Sequence, residues 1–139
     1  MARLTKEEKV LKLVDLTKPI LCLTDWSIKV QFVRIPRHRA DCEANPEYKD
    51  AIIRFDVRKI SDSDLIPFVV HEMLHCVVWK LSHVAESFTN DEAKLEWCRI
   101  EEESLTTALE QIIVPLVEIK LKESLKAESL KVSLKSLKK

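Results

Sequence analysis

Residues 69–80 read VVHEMLHCVVWK. His71, Glu72 and His75 interrupt an otherwise apolar stretch, and burying an unpartnered polar group costs a few kcal/mol. On a helix, positions i and i+4 share a face, so His71 and His75 project side by side, close enough to share one cation. Glu72 is turned by about 100° around the helix axis and reaches the space beside that cation without ligating it. Two imidazole ligands and a neighbouring free carboxylate are the parts of a zinc centre that activates water. The ion lowers the pKa of a bound water to about 7, and the carboxylate takes its proton. Reading the same residues as plain core would require both histidines and the glutamate to find buried hydrogen-bond partners.

A third ligand is expected from the next helical segment, WCRIEEESLTTALEQII, which offers Glu101, Glu102 and Glu103. Positions 95, 98, 102, 105, 109, 112 and 116 fall at helical spacing and form a core-facing stripe with one carboxylate in it, Glu102. Glu103 is expected to turn toward solvent. Glu101, flanked by Trp97, Leu105 and Ala108, remains an alternative to Glu102. Cys76 and Cys98 are read as small buried hydrophobes rather than thiolate ligands. Trp26, Trp79 and Trp97 are read as core or core-edge anchors.

The surrounding pattern supplies elements that could hold such a site. Residues 5–17 (TKEEKVLKLVDLT) read as a helix, with Thr5 and Glu8 at capping-box spacing and Pro19 as the stop. Residues 26–35 (WSIKVQFVRI) alternate as a half-buried strand, and 51–57 (AIIRFDV) form a second. Between them, 36–50 are polar, contain two prolines and read as a long loop. SDSD at 61–64 offers helix-capping side chains, and Pro67 suits a first turn, so the motif helix runs from about 64 to the low 80s. A further helix spans about 91–113, with Asp91 as its cap and Pro115 at its end or at a kink. The fold class is α+β: a small sheet, one helix before it and two after it, with the metal between the last two.

Composition narrows the function classes. In this 139-residue chain, 46% hydrophobic residues allow a single packed core. Charge balances at 23 against 23, which argues against a dedicated nucleic-acid binder. Glycine is absent, so no glycine-built phosphate cradle exists, and turns must rely on Asn, Asp, Ser and Pro. No secretory signal is visible and the apolar runs are short of a membrane span, so a cytoplasmic chain with reduced cysteines is expected. Residues 118–139 hold seven lysines and three glutamates and repeat SLK four times. They are read as a solvated appendage to a domain spanning 1–117. Arg34, Arg37, His38 and Arg39 form a basic cluster in the loop, followed at once by Asp41 and Glu43.

VVHEMLHCV, the W-x-I-x-V strand and the AIIRFDV strand, with a glutamate on the following helix, resemble the gluzincin zinc metallopeptidases. They are similar in particular to the short metallopeptidase-like proteins of phages and prophages. The resemblance covers about residues 20–116. It implies His71, His75 and Glu102 as zinc ligands, Glu72 as general base and acid, and a peptide or protein substrate. It also implies an edge strand ahead of the motif helix, at residues 51–57, that pairs with extended substrate. Family members often carry a small residue three positions after the glutamate ligand; Glu102 is followed there by Leu105 and Glu101 by Ser104. The oxyanion donor is left open among Tyr48, His83, His38 and Arg99. Two other classes compete: a zinc-binding regulatory or interaction module without proteolysis, and a metal-free helical interaction protein.

Overall fold

The computed structural model describes residues 4–136. Its elements are α1 (Lys6–Ile20), β1 (Ser27–Phe32), β2 (Ala40–Asn45), β3 (Asp50–Phe55), α2 (Leu65–Ser87) and α3 (Glu92–Ser136). The class is α+β, a three-stranded sheet with three helices. At the start of α1 the capping box forms as its spacing predicts. The Glu8 N–H donates to Thr5 Oγ1 (3.2 Å) and the Thr5 N–H to Glu8 Oε2 (2.7 Å). Pro19 lies inside the last turn rather than ahead of it. The helix closes through a backbone motif: the Leu23 N–H reaches the Lys18 carbonyl (2.8 Å) and the Cys22 N–H the Pro19 carbonyl (3.3 Å). Cys22 takes the left-handed conformation (φ 56) that this motif usually assigns to glycine, and Lys49 does the same (φ 52) before β3. Without glycine, the chain therefore turns at these points on residues outside the expected Asn, Asp, Ser and Pro.

The sheet order is β1-β3-β2, with β1 parallel and β2 antiparallel to β3. Two sequence expectations are corrected here. Residues 36–50 are not all loop, because ADCEAN forms β2. Its alternation is carried by small inward residues, Ala40, Cys42 and Ala44, which stand opposite Phe55, Ile53 and Ala51. The outward Asp41 and Glu43 are held by Arg54, which donates to them at 2.8 and 2.7 Å. Residues 51–55 are not an edge strand either. The hairpin from β2 brings β3 back between β1 and β2, so β3 is central and β2 is an edge.

The inward face of β2 and β3 lies under α2, and α1 packs on α2 and α3. Leu65, Val69, Val70, Met73, Leu74 and Cys76 of α2 join Val10, Ile53, Phe55 and Ile60 in the core. This packing accounts for the apolar character of α2, which by length and composition alone is long enough to cross a membrane; 44% of its most apolar stretch is buried inside the fold. Asp64 makes no side-chain cap; its carbonyl instead accepts the Phe68 N–H (3.0 Å). Asp91 does cap α3, accepting from the Ala93 and Lys94 N–H groups (3.0 and 3.3 Å).

α3 does not end near Pro115 but continues to Ser136. Among the described residues its buried side chains are Thr106 and Val117, with Leu109, Ile113, Val114 and Leu121 packed half-buried against the core. The stripe read from sequence is thus rotated. Leu105, Ile112 and Leu116 are exposed, because α1 and α2 together grip the adjacent line 102–106–109–113–117. The boundary expected at 117/118 falls inside this helix. Beyond it, Lys12 Nζ meets Glu128 Oε1 at 2.7 Å.

Candidate metal centre

His71 and His75 lie one turn apart on α2, with ring centroids 5.0 Å apart and planes inclined at 78°. α3 brings three carboxylates to them. Glu110 Oε2 lies 3.1 Å from His71 Nδ1, and Glu102 Oε1 lies 3.1 Å from His75 Nδ1. A carboxylate only accepts, so each contact fixes the proton on Nδ1 and leaves the Nε2 lone pair facing away. Both Nε2 atoms face a third carboxylate, Glu103, with His71 Nε2 3.4 Å from Oε2 and His75 Nε2 3.5 Å from Oε1.

Two imine lone pairs turned onto one carboxylate repel unless a proton or a cation lies between them. Donor atoms of His71, His75 and Glu103 all lie within 4.8 Å of one another, a set that could hold a metal ion. Tetrahedral zinc with bonds of about 2.0–2.1 Å places neighbouring donors about 3.3 Å apart. The nitrogen–oxygen separations of 3.4 and 3.5 Å, each to a different oxygen of Glu103, are near that span, and within the 4.8 Å bound of the whole set the side chains would draw together around an ion; two imidazoles with one carboxylate are a donor set that zinc accepts. The residues therefore fit a zinc ion.

Of the residues expected from sequence, His71 and His75 converge and Glu72 stands beside them. Glu102 does not join the converging group. It lies on the core side of α3, as its stripe predicted, but there it meets the far nitrogen of His75. Glu103, expected to point to solvent, carries the converging carboxylate, although 60% of its side chain is exposed. The reason is geometric. The imidazole tips emerge at the flank of the α2–α3 seam, about 100° around α3 from its centre, where a core-facing residue does not reach. Glu101 is exposed, with Trp97 and Leu105, along a recess of about 220 Å³ between α2 and α3. Glu110 lies two turns beyond the glutamate run, and its one signal in the sequence is the i+7 spacing from Glu103.

Glu72 is 6% exposed. Burial, with the negative charges of Asp41 and Glu103 adding to it, pushes its carboxyl up to about 8. On the β2 side, Cys76 Sγ lies 3.8 Å from Cys42 Sγ, and the apposed thiol together with burial keeps Cys42 protonated. Cys98 is half-buried along the α2–α3 recess. Neither Cys76 nor Cys98 belongs to the converging group. Trp26 and Trp79 pack half-buried on the core, whereas Trp97 is 62% exposed and anchors nothing there.

Of the oxyanion-donor candidates, Arg99 stands one turn before Glu103 on α3, and the other three lie outside α3. Tyr48 is exposed in the β2–β3 turn. His83 lines a cleft of about 1160 Å³ between the end of the sheet and α2, with Trp79 and Lys80 beside it. His38 sits in the exposed loop before β2, and Arg99 pairs with Glu96 at 3.3 Å. Comparison with known proteins gives no match to this chain, whether with family models, curated proteins or solved structures.

Proposed function

We propose that the protein is a zinc-dependent metallopeptidase of the gluzincin kind, with His71, His75 and Glu103 as ligands and Glu72 as general base. The observation that carries this reading is the orientation of the two imidazoles. Carboxylates at both Nδ1 atoms turn both Nε2 atoms onto Glu103. When bound, zinc would supply Lewis acidity, lowering the pKa of a coordinated water and polarising the scissile carbonyl.

The chain's own residues supply the rest. Glu72 is buried beside the ligands, and burial favours its protonated form in the metal-free protein; a bound dication would favour its charged form, which could accept a proton and return it to the leaving amine. Glu102 and Glu110 hold the ring orientations. β2, not residues 51–57, is the edge strand nearest α2, and its free side would pair with an extended peptide backbone. Thr106, small and buried, stands three positions after Glu103, where the family resemblance asks for a small residue.

The test is cleavage of a generic unfolded protein. Wild type is expected to cleave it, and Glu72→Gln to retain zinc and lose cleavage. Zinc-loaded wild type that leaves such substrates intact would overturn the reading. One observation favours a second reading, a zinc-binding module without proteolysis: His83 lines a cleft that none of His71, His75 and Glu103 lines, and Arg99 is paired with Glu96. Zinc retention without cleavage is the outcome that reading expects.

A further inference from the structure

The loop between β1 and β2 exposes Arg34, Arg37, His38 and Arg39. Its backbone is fixed. Lys59 Nζ donates to the carbonyl oxygens of Ile35, Pro36 (3.2 Å) and His38 (3.4 Å). The Ile35 N–H donates to Asp56 Oδ2 (3.3 Å), and the Asp56 N–H to the Arg39 carbonyl (2.8 Å). The acidic residues close by in sequence are already engaged. Asp41 and Glu43 bind Arg54, and the buried Asp56 carboxylate, held down at about 2 chiefly by the Arg58 guanidinium, accepts from Arg58 at 2.9 and 2.8 Å.

The Arg39 guanidinium carbon lies 5.5 Å from the centre of the Phe68 ring. Phe68 precedes His71 by three residues and so shares its face of α2. A guanidinium held over an aromatic face by cation–π attraction still has N–H donors available for a carboxylate. Arg39 is also the residue immediately before the edge strand β2. An exposed cation thus stands at one end of that strand, held against the α2 residue that lies one turn before His71.

We propose that Arg39 is the specificity-determining residue of this site and binds a carboxylate of the peptide substrate, flanking the scissile bond. This rests on the peptidase reading for the identity of the ligand, though not for the carboxylate site itself. The carboxylate is either an acidic side chain or the peptide's own C-terminus, and Arg34 and Arg37 add long-range attraction for either.

The experiment uses the full chain carrying Glu72→Gln, so that peptides survive, and three fluorescent peptides of one neutral parent sequence. The first has an internal Glu and an amidated end, the second a free C-terminal carboxylate, and the third no carboxylate. One of the first two is expected to bind about tenfold tighter than the third, and which one does identifies the source. Adding Arg39→Met should erase that ratio while leaving the affinity for the neutral peptide and the melting temperature unchanged. Arg39→Lys should restore part of it, because the charge returns without the fork. Equal binding of all three peptides, no binding of any, or a ratio that survives Arg39→Met overturns the proposal. The peptidase reading fails separately, on absence of cleavage by the zinc-loaded wild type, and an intact ratio in that event would leave the carboxylate site standing.

Discussion

Glu72 makes the metal-free protein sensitive to pH in a direction opposite to ordinary surface carboxylates. Its carboxyl is pushed from 4.5 up to about 8, first by burial and then by Asp41 and Glu103. The folded state therefore holds this proton more tightly than the unfolded chain does. The resulting stability is fully present below the unfolded pKa and is lost as pH rises through the folded one. Each pH unit inside that window is worth about 1.4 kcal/mol, so the metal-free fold loses on the order of 4 kcal/mol from this group between about pH 5 and 8. Glutamine has nearly the same shape and no charge, so Glu72→Gln escapes the loss. Urea unfolding of chelator-treated wild type and Glu72→Gln at pH 5, 6, 7 and 8 measures the difference, in which all other titrations common to both proteins cancel. The advantage of Glu72→Gln should grow by about 1.3 kcal/mol per pH unit, and added zinc should shrink it, because a dication beside the carboxylate favours its charged form. A difference that stays constant across pH would refute the claim that Glu72 is buried against uncompensated negative charge.

Glu102→Gln and Glu110→Gln are each expected to weaken zinc binding by about 10–100-fold without abolishing it, as loss of an imidazole-orienting partner does; chelator competition reads this directly. Val117→Ala should destabilise the fold by about 2 kcal/mol in urea unfolding, because its side chain is fully buried beyond the expected end of the domain. Deletion of residues 122–139 should leave the fold intact with a loss of about 1 kcal/mol or less, since it removes the partly exposed Lys12–Glu128 pair and keeps Val117 and Leu121. A cooperative unfolding transition that disappears on that deletion would show that the end of α3 carries core structure.

The parts of the fold legible in the sequence were those written in strong periodicity or in short-range chemistry. The Thr5–Glu8 box and the cap at Asp91 rest on contacts within a few residues, and β1 and α2 show their type in the residue pattern along a single segment. β2 was illegible because its inward residues are Ala, Cys and Ala, too small to mark a hydrophobic face, and because its charges are balanced by Arg54 on another strand. The central place of β3 follows from a hairpin that cannot be inferred once β2 is missed. α3 shows a different limit. Apolar residues lie on more than one of its sides, and only the positions of α1 and α2 decide which side is buried. The candidate site inherited that ambiguity. His71, Glu72 and His75 lie on a single helix, where register fixes their relation. The choice among Glu101, Glu102 and Glu103 depends on how two helices are rotated against each other, and a one-residue difference in that rotation separates Glu102, expected from sequence, from Glu103, whose carboxylate converges on the two imidazoles.

Metal content reads that rotation directly. Protein purified without added metals, as wild type and as His71→Ala, Glu102→Ala and Glu103→Ala, is analysed for zinc per chain. The account predicts about one equivalent in wild type, a reduced but measurable amount in Glu102→Ala, and none in His71→Ala or Glu103→Ala. Wild type without stoichiometric metal, or Glu103→Ala that keeps it while Glu102→Ala does not, would contradict the ligand set of His71, His75 and Glu103.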